Sequence, residues 1–167
     1  MAATSFDPRN PRLQATSGKI PQILHGYLEA DSQTFKAGQF VYINAGAVTV
    51  AADGDVPVMG IALADATNSA SASVTNATIP IQVIGPDDEV LIQVCTSAGV
   101  LQAANTTCTP GLGYDLQTVS TNLHYIDSSD VSNEKFIFLG PVRDASGTAT
   151  YWGRFRPYYL ENQATAI

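Results

Sequence analysis

Short apolar runs with a period of two recur from residue 19 to residue 156, each closed by a glycine, proline, asparagine or aspartate turn. No segment carries the apolar period of about 3.6 residues that marks an amphipathic helix. A chain patterned in this way hides its apolar faces by pairing strands. The expected class is therefore all-β: roughly eight to ten short, mostly antiparallel strands in a small β-barrel or β-sandwich.

The pattern is sharpest over residues 34–66 (TFKAGQFVYINAGAVTVAADGDVPVMGIALADA). A Lys-Ala-Gly turn leads into a run with Phe40 and Tyr42 on one face and Val41 and Ile43 on the other. Ala45-Gly46 reverses the chain into a second run, residues 47–51. Asp53-Gly54 turns it into a third, residues 56–63, so the three read as a β-meander. Residues 19–30 read as a strand that Pro21 places at an edge or a strand start. Residues 78–84 and 89–95 read as a hairpin around Gly85-Pro86-Asp87-Asp88, and residues 114–119 and 122–126 as strands on either side of Ser120-Thr121. Residues 135–142 and 150–155 make a last hairpin around Ala145-Ser146-Gly147, while residues 65–77 and 97–111 are small, polar and aperiodic, as loops are.

At 167 residues the chain fits one domain, expected as an extended N-terminal arm (1–18), a single β domain (19–156) and a C-terminal tail (157–167). It is 45% apolar but only 14% charged, a balance that points to apolar surface covered by a partner. The net charge of −7 argues against a nucleic-acid partner, which needs a basic face. The start lacks the apolar core of a signal peptide, and no apolar run reaches the roughly 20 residues of a membrane helix, so no membrane association is expected. Residues 1–18 carry Pro8 and Pro11 among hydrated side chains. They are either a disordered tail or an arm that orders along a neighbouring subunit, with Phe6, Arg9, Arg12 and Leu13 as its contacts. Arg154, Phe155, Arg156, Tyr158 and Tyr159 near the other end have the aromatic and arginine composition of interface cores, or else they close the barrel.

Chemistry is sparse. Cys95 and Cys108 are too few for a zinc site and read as free thiols or as a bridge closing the intervening loop. His25 and His124 each lack a local partner, and neither a nucleophile elbow nor a zinc-protease, Walker or dinucleotide motif is present. Asp87, Asp88 and Glu89 lack the spacing of a calcium loop and read as a solvated turn. Residues 110–116 (PGLGYDL) resemble the first signature of trimeric dUTP pyrophosphatases, but that family's Arg-Ser-Gly and late Gly-rich motifs do not follow. The expectation is a protein without catalytic activity, metal or cofactor.

The strand over residues 20–28, then Phe35-Lys36-Ala37-Gly38-Gln39-Phe40-Val41, Gly46-Ala47-Val48 and Val58-Met59-Gly60-Ile61-Ala62-Leu63-Ala64, resemble bacteriophage capsid decoration (cement, head-stabilising) proteins. The resemblance covers about a fifth to a quarter of the chain and implies a β-tulip-like barrel. It further implies a structural virion protein on the outer capsid surface, assembled in the host cytoplasm. Its partners would be the major capsid protein and further copies of itself, a trimer before a dimer. The alternatives are a head-fibre or receptor- or glycan-binding module, and a tail or neck subunit.

Overall fold

The computed structural model describes residues 11–15, 22–52, 58–68, 77–96, 99–119, 123–132 and 134–158. Within these the chain is all-β: β1 (Arg12–Ala15), β2 (Ile23–Leu28), β3 (Thr34–Phe35), β4 (Phe40–Asn44), β5 (Ala47–Val50), β6 (Gly60–Ala62), β7 (Ala66–Thr67), β8 (Thr78–Val83), β9 (Glu89–Cys95), β10 (Gly113–Val119), β11 (Leu123–Asp127), β12 (Phe136–Arg143) and β13 (Ala149–Pro157). A single helical turn, α1 (Ala104–Thr107), lies between β9 and β10.

The strands form two small barrels. The first runs β2-β8-β6-β4-β5, and its free edges meet at a parallel bridge between Glu29 and Val48, where the Ala30 N–H donates to the Val48 carbonyl at 2.8 Å. Phe35, Val41, Val48, Ala62, Ile79 and Ile81 fill it. β3 and β7 pair separately beside it. The second runs β9-β11-β10-β12-β13 and closes because β13 pairs back onto β9. β11 lies parallel to the end of β9, and β1 covers the beginning of the same edge. Closure leaves few unpaired strand edges, the usual liability of short β sheets.

Local sequence explains the hairpins. Ala45 and Gly46 both take positive φ, 48° and 82°, the backbone of a type I′ turn that matches strand twist, so β4 and β5 pair in register from Asn44↔Ala47 to Val41↔Val50. β10–β11 and β12–β13 are likewise neighbours in both sequence and space. Three expectations need correction. β6 pairs with β4 rather than β5, so residues 34–66 do not form a meander. β8 and β9 are not a hairpin: the Gly85–Asp88 turn exists, with the Gly85 N–H on the Asp88 carboxylate at 2.7 Å, but it carries the chain from one barrel to the other. Residues 12–15, expected within a disordered tail or an arm along a neighbouring subunit, pair with β9 of the same chain, the register shifting between Leu13 and Ala15.

The two barrels share one core. Phe40, Tyr42, Val58 and Ile61 of the first pack against Val90, Ile92, Leu116, Ile126, Phe136, Phe138 and Phe155 of the second. Phe40 is fully buried at this joint. Its ring lies 5.9 Å from and nearly parallel to that of His124, and 4.8 Å from that of Phe136. Its backbone N–H donates to His124 Nδ1 at 2.9 Å. The turn before it is pinned by Asp65, whose carboxylate accepts from the Ala37 N–H at 2.9 Å and from Lys36 Nζ at 3.1 Å. The backbone hydrogen bond from Ala37 is the main reason the Asp65 carboxyl sits below its ordinary range.

Removing the Phe40 ring deletes contacts to both barrels at once. Phe40→Ala is expected to cost about 3–5 kcal/mol, measured as a lowered midpoint in urea unfolding.

His124 must be neutral in the fold, because its Nδ1 accepts a hydrogen bond, and burial pushes its pKa down to about 3. The unfolded chain takes up a proton near 6.5, which the folded chain resists. Stability is therefore complete above that pH and falls as pH drops toward 3, by at most about 1.4 kcal/mol per unit. Burial raises the Glu29 pKa, which acts in the opposite sense, so the difference between variants is the cleaner quantity. Between pH 6.5 and 4.5, His124→Gln should flatten the slope of urea-unfolding stability relative to the wild type, whatever offset it adds.

Candidate interaction face

β13 alternates strictly near its end: Gly153, Phe155 and Pro157 are buried, while Arg154 and Arg156 are exposed. Gly153 lacks a Cβ where the rings of Phe155 and Phe138 crowd in, so the aromatic core comes up against the β13 backbone. On β9, Val90, Ile92 and Val94 join the core and Leu91 faces outward, half-buried. Register then aligns residues from distant parts of the chain. Leu91 is paired with Arg12 of β1 on one side and with Arg154 of β13 on the other, and Arg154 is paired in turn with Gly140 of β12. With strands about 4.8 Å apart, the two arginine backbones stand about 10 Å from each other across Leu91.

The Arg12 guanidinium lies 5.0 Å from the ring centroid of Trp152, the only tryptophan in the chain. Such stacking holds a cation in place against the ring. The Arg154 side chain is 47% exposed, and its Nη1 is 3.9 Å from a Glu89 carboxylate oxygen, a solvent-screened pair of little energetic weight. Beside Arg154 runs an open groove of about 590 Å³ lined by Leu91, Pro110, Leu139, Gly140, Pro141, Val142, Arg143 and Arg154.

The groove owes its shape to irregularities in β12. The register shifts between Phe138 and Gly140, leaving Leu139 as the extra residue of a bulge, and shifts again between Pro141 and Arg143. Gly140 takes a φ of 152°, and a Cβ there would press to 3.3 Å from Arg154 Nη2. Its bare backbone forms the floor on which that guanidinium rests. Arg143 is steadied by an Nη1 hydrogen bond to the Gly147 carbonyl at 2.7 Å. The connecting loop is organised by Asp144, whose Oδ1 accepts from the Ser146 N–H and the Thr148 N–H, both at 2.9 Å, and from the Ser146 hydroxyl at 2.6 Å. The hydroxyl bond is the largest cause of the lowered Asp144 pKa.

Of the residues singled out from sequence, Phe6, Arg9 and Tyr159 lie outside the described residues. Arg12, Arg154 and Arg156 come together on this face although the sequence placed them at opposite ends. Leu13 packs partly buried against the shared core. Phe155, expected at an interface, is fully buried inside its own chain and leaves the candidate surface. Tyr158 is half-buried, its N–H on the Lys135 carbonyl at 2.7 Å. Leu91, Trp152, Arg143 and the groove walls were missed. The apolar run over residues 135–142 gives no sign of the bulge at Leu139, which only the register reveals.

Elsewhere polar groups serve the fold. Asp115, in the string that resembles the dUTP pyrophosphatase signature, is buried in an ion pair with Lys135 Nζ and also accepts the Leu116 N–H at 2.6 Å. His25 is exposed on β2, whereas His124 is buried in the joint. Among the described residues no group of three or more His, Cys, Asp and Glu side chains is placed to hold a metal ion. Cys95 and Cys108 are free, buried thiols. Burial, the largest cause for each, pushes Cys95 up to about 12 and Cys108 up to about 11.

Both thiols should therefore resist an aromatic disulfide reagent at pH 8 in the folded protein and react rapidly once it is unfolded in guanidinium. Fast native-state labelling of either would contradict this burial. No protein-family model matches the sequence, and no match is found among curated proteins.

Proposed function

We propose that this chain is a capsid decoration protein, a structural virion component that binds the outer surface of a bacteriophage major capsid protein shell and stabilises the expanded head. The observation that carries the reading is the Arg12–Leu91–Arg154 row with Trp152 and the adjoining groove. Arginine and tryptophan around a half-buried apolar centre are the side chains that dominate protein–protein binding energy. Leu91, Trp152 and Arg154 stand on a closed barrel and Arg12 is paired to its β9, so little order has to be gained on docking. A shell presents many equivalent sites, and copies that touch one another as a trimer would add avidity to a modest single contact. This role needs neither cofactor nor catalysis. The resemblance of residues 20–64 to decoration proteins points the same way.

A second reading, a receptor- or glycan-binding head-fibre module, draws on Tyr151 of β13, which is 52% exposed. A glycan site would use such aromatic faces.

The test is co-sedimentation of the purified protein with intact, expanded, undecorated capsids, together with the temperature at which the shells are disrupted. Saturable binding and a raised disruption temperature are expected. Trp152→Ala combined with Arg154→Ala should weaken binding by about tenfold or more, with the unbound protein keeping its wild-type circular dichroism spectrum. Absence of binding to sound shells would refute the decoration role, and glycan screening would then decide the second reading.

A further inference from the structure

The chain carries 15 acidic and 8 basic side chains, yet every arginine among the described residues faces one side. Arg143 and Arg154 line the groove itself, Arg12 stands across Leu91 in the same row, and Arg156 lies two residues further along the outer face of β13. No acidic side chain is among the groove's lining residues. The groove is thus a basic, apolar-walled trough on an otherwise acidic protein.

We propose, resting on the reading of this face as the docking face, that the groove receives an extended, acidic segment of polypeptide from the partner. Carboxylates of that segment meet Arg143 and Arg154, and its apolar side chains lie against Leu91, Leu139, Pro141 and Val142. The arginine fork matches a carboxylate in the plane of its two oxygens, and a charge-assisted pair of this kind is stronger than a neutral hydrogen bond. Among the described residues Arg154 is met only by Glu89, at a distance too long for a hydrogen bond, so its donors are available to a ligand. The bare Gly140 backbone makes room for the Arg154 guanidinium itself, which it seats over the groove. An isolated small carboxylate would leave most of the apolar wall wet, whereas a peptide covers it. Nucleic acid is disfavoured because the net charge of −7 repels it and because the face of Trp152 is already taken by Arg12.

The experiment is fluorescence anisotropy with the full-length protein and a labelled peptide of repeated Glu-Ser-Leu units, at low and at physiological salt. Saturable binding that weakens with salt is expected. Arg154→Glu and, separately, Arg143→Glu should each lower the affinity about tenfold or more. Arg154 is exposed, so its variants should keep the wild-type circular dichroism spectrum, and Arg154→Gln serves as a milder second variant. A matched Lys-Ser-Leu peptide should not bind. The proposal is overturned by absent binding, by affinity unchanged in the charge-reversed variants, by equal binding of the lysine peptide, or by tighter binding of a single-stranded oligonucleotide. Self-association of the wild type that Arg154→Glu abolishes would overturn it in favour of a second copy of this chain. Capsid binding without peptide binding removes the groove and leaves the decoration role standing; peptide binding without capsid binding does the reverse.

Discussion

The architecture depends on Phe40. Its ring fills the space between His124 and Phe136, and its backbone N–H is satisfied by His124 Nδ1 rather than by a neighbouring strand. One residue of the first barrel thereby completes both the apolar packing and the polar accounting of the second. A buried N–H without a partner costs about as much as a lost hydrogen bond, so the aromatic contact and the hydrogen bond reinforce each other. The turn that aims Phe40 is in turn held by Asp65. Small barrels have little interior of their own, and a shared core lets the two together bury what neither buries alone.

Closure of the second barrel creates the candidate face as a by-product. Once β13 pairs back onto β9, the outward residues of β1, β9, β13 and β12 form one continuous surface. The β12 bulge and the bare Gly140 then sink a groove into it. The closed strands and the Arg12–Leu91–Arg154 row with Trp152 occur together, which suits the docking role proposed above. The barrel interior supplies the rigidity by packing Phe138 against Phe155 directly beneath Arg154.

Much of the fold was legible because it is local. The period-two alternation correctly assigned the two faces of β4: Phe40 and Tyr42 enter the shared core and Val41 the first barrel's own, while Ile43 on Val41's side is exposed. The Ala45-Gly46 turn and the last hairpin were readable because turn chemistry and short loops determine which strands pair. The errors share one cause. The Gly85–Asp88 turn reads the same whether the strands on either side pair with each other or part company, and a third apolar run carries no mark of which edge it joins. Partner choice is non-local, decided by total burial rather than by the sequence of the turn.

The candidate face divides along the same line. Sequence alone determined that the chain is all-β, poor in charge, and equipped with arginines near both ends in an aromatic setting, because composition and alternation are properties of short windows. Only the tertiary structure decided that Arg12 and Arg154 flank the same leucine, that Phe155 belongs to the core, and that Trp152 lies against Arg12. The physical reason is strand register. A shift of one residue in the pairing of β9 with β1 or β13 would turn these side chains to the opposite face, and that register is selected by the buried rows of Val90, Ile92 and Phe155 acting together.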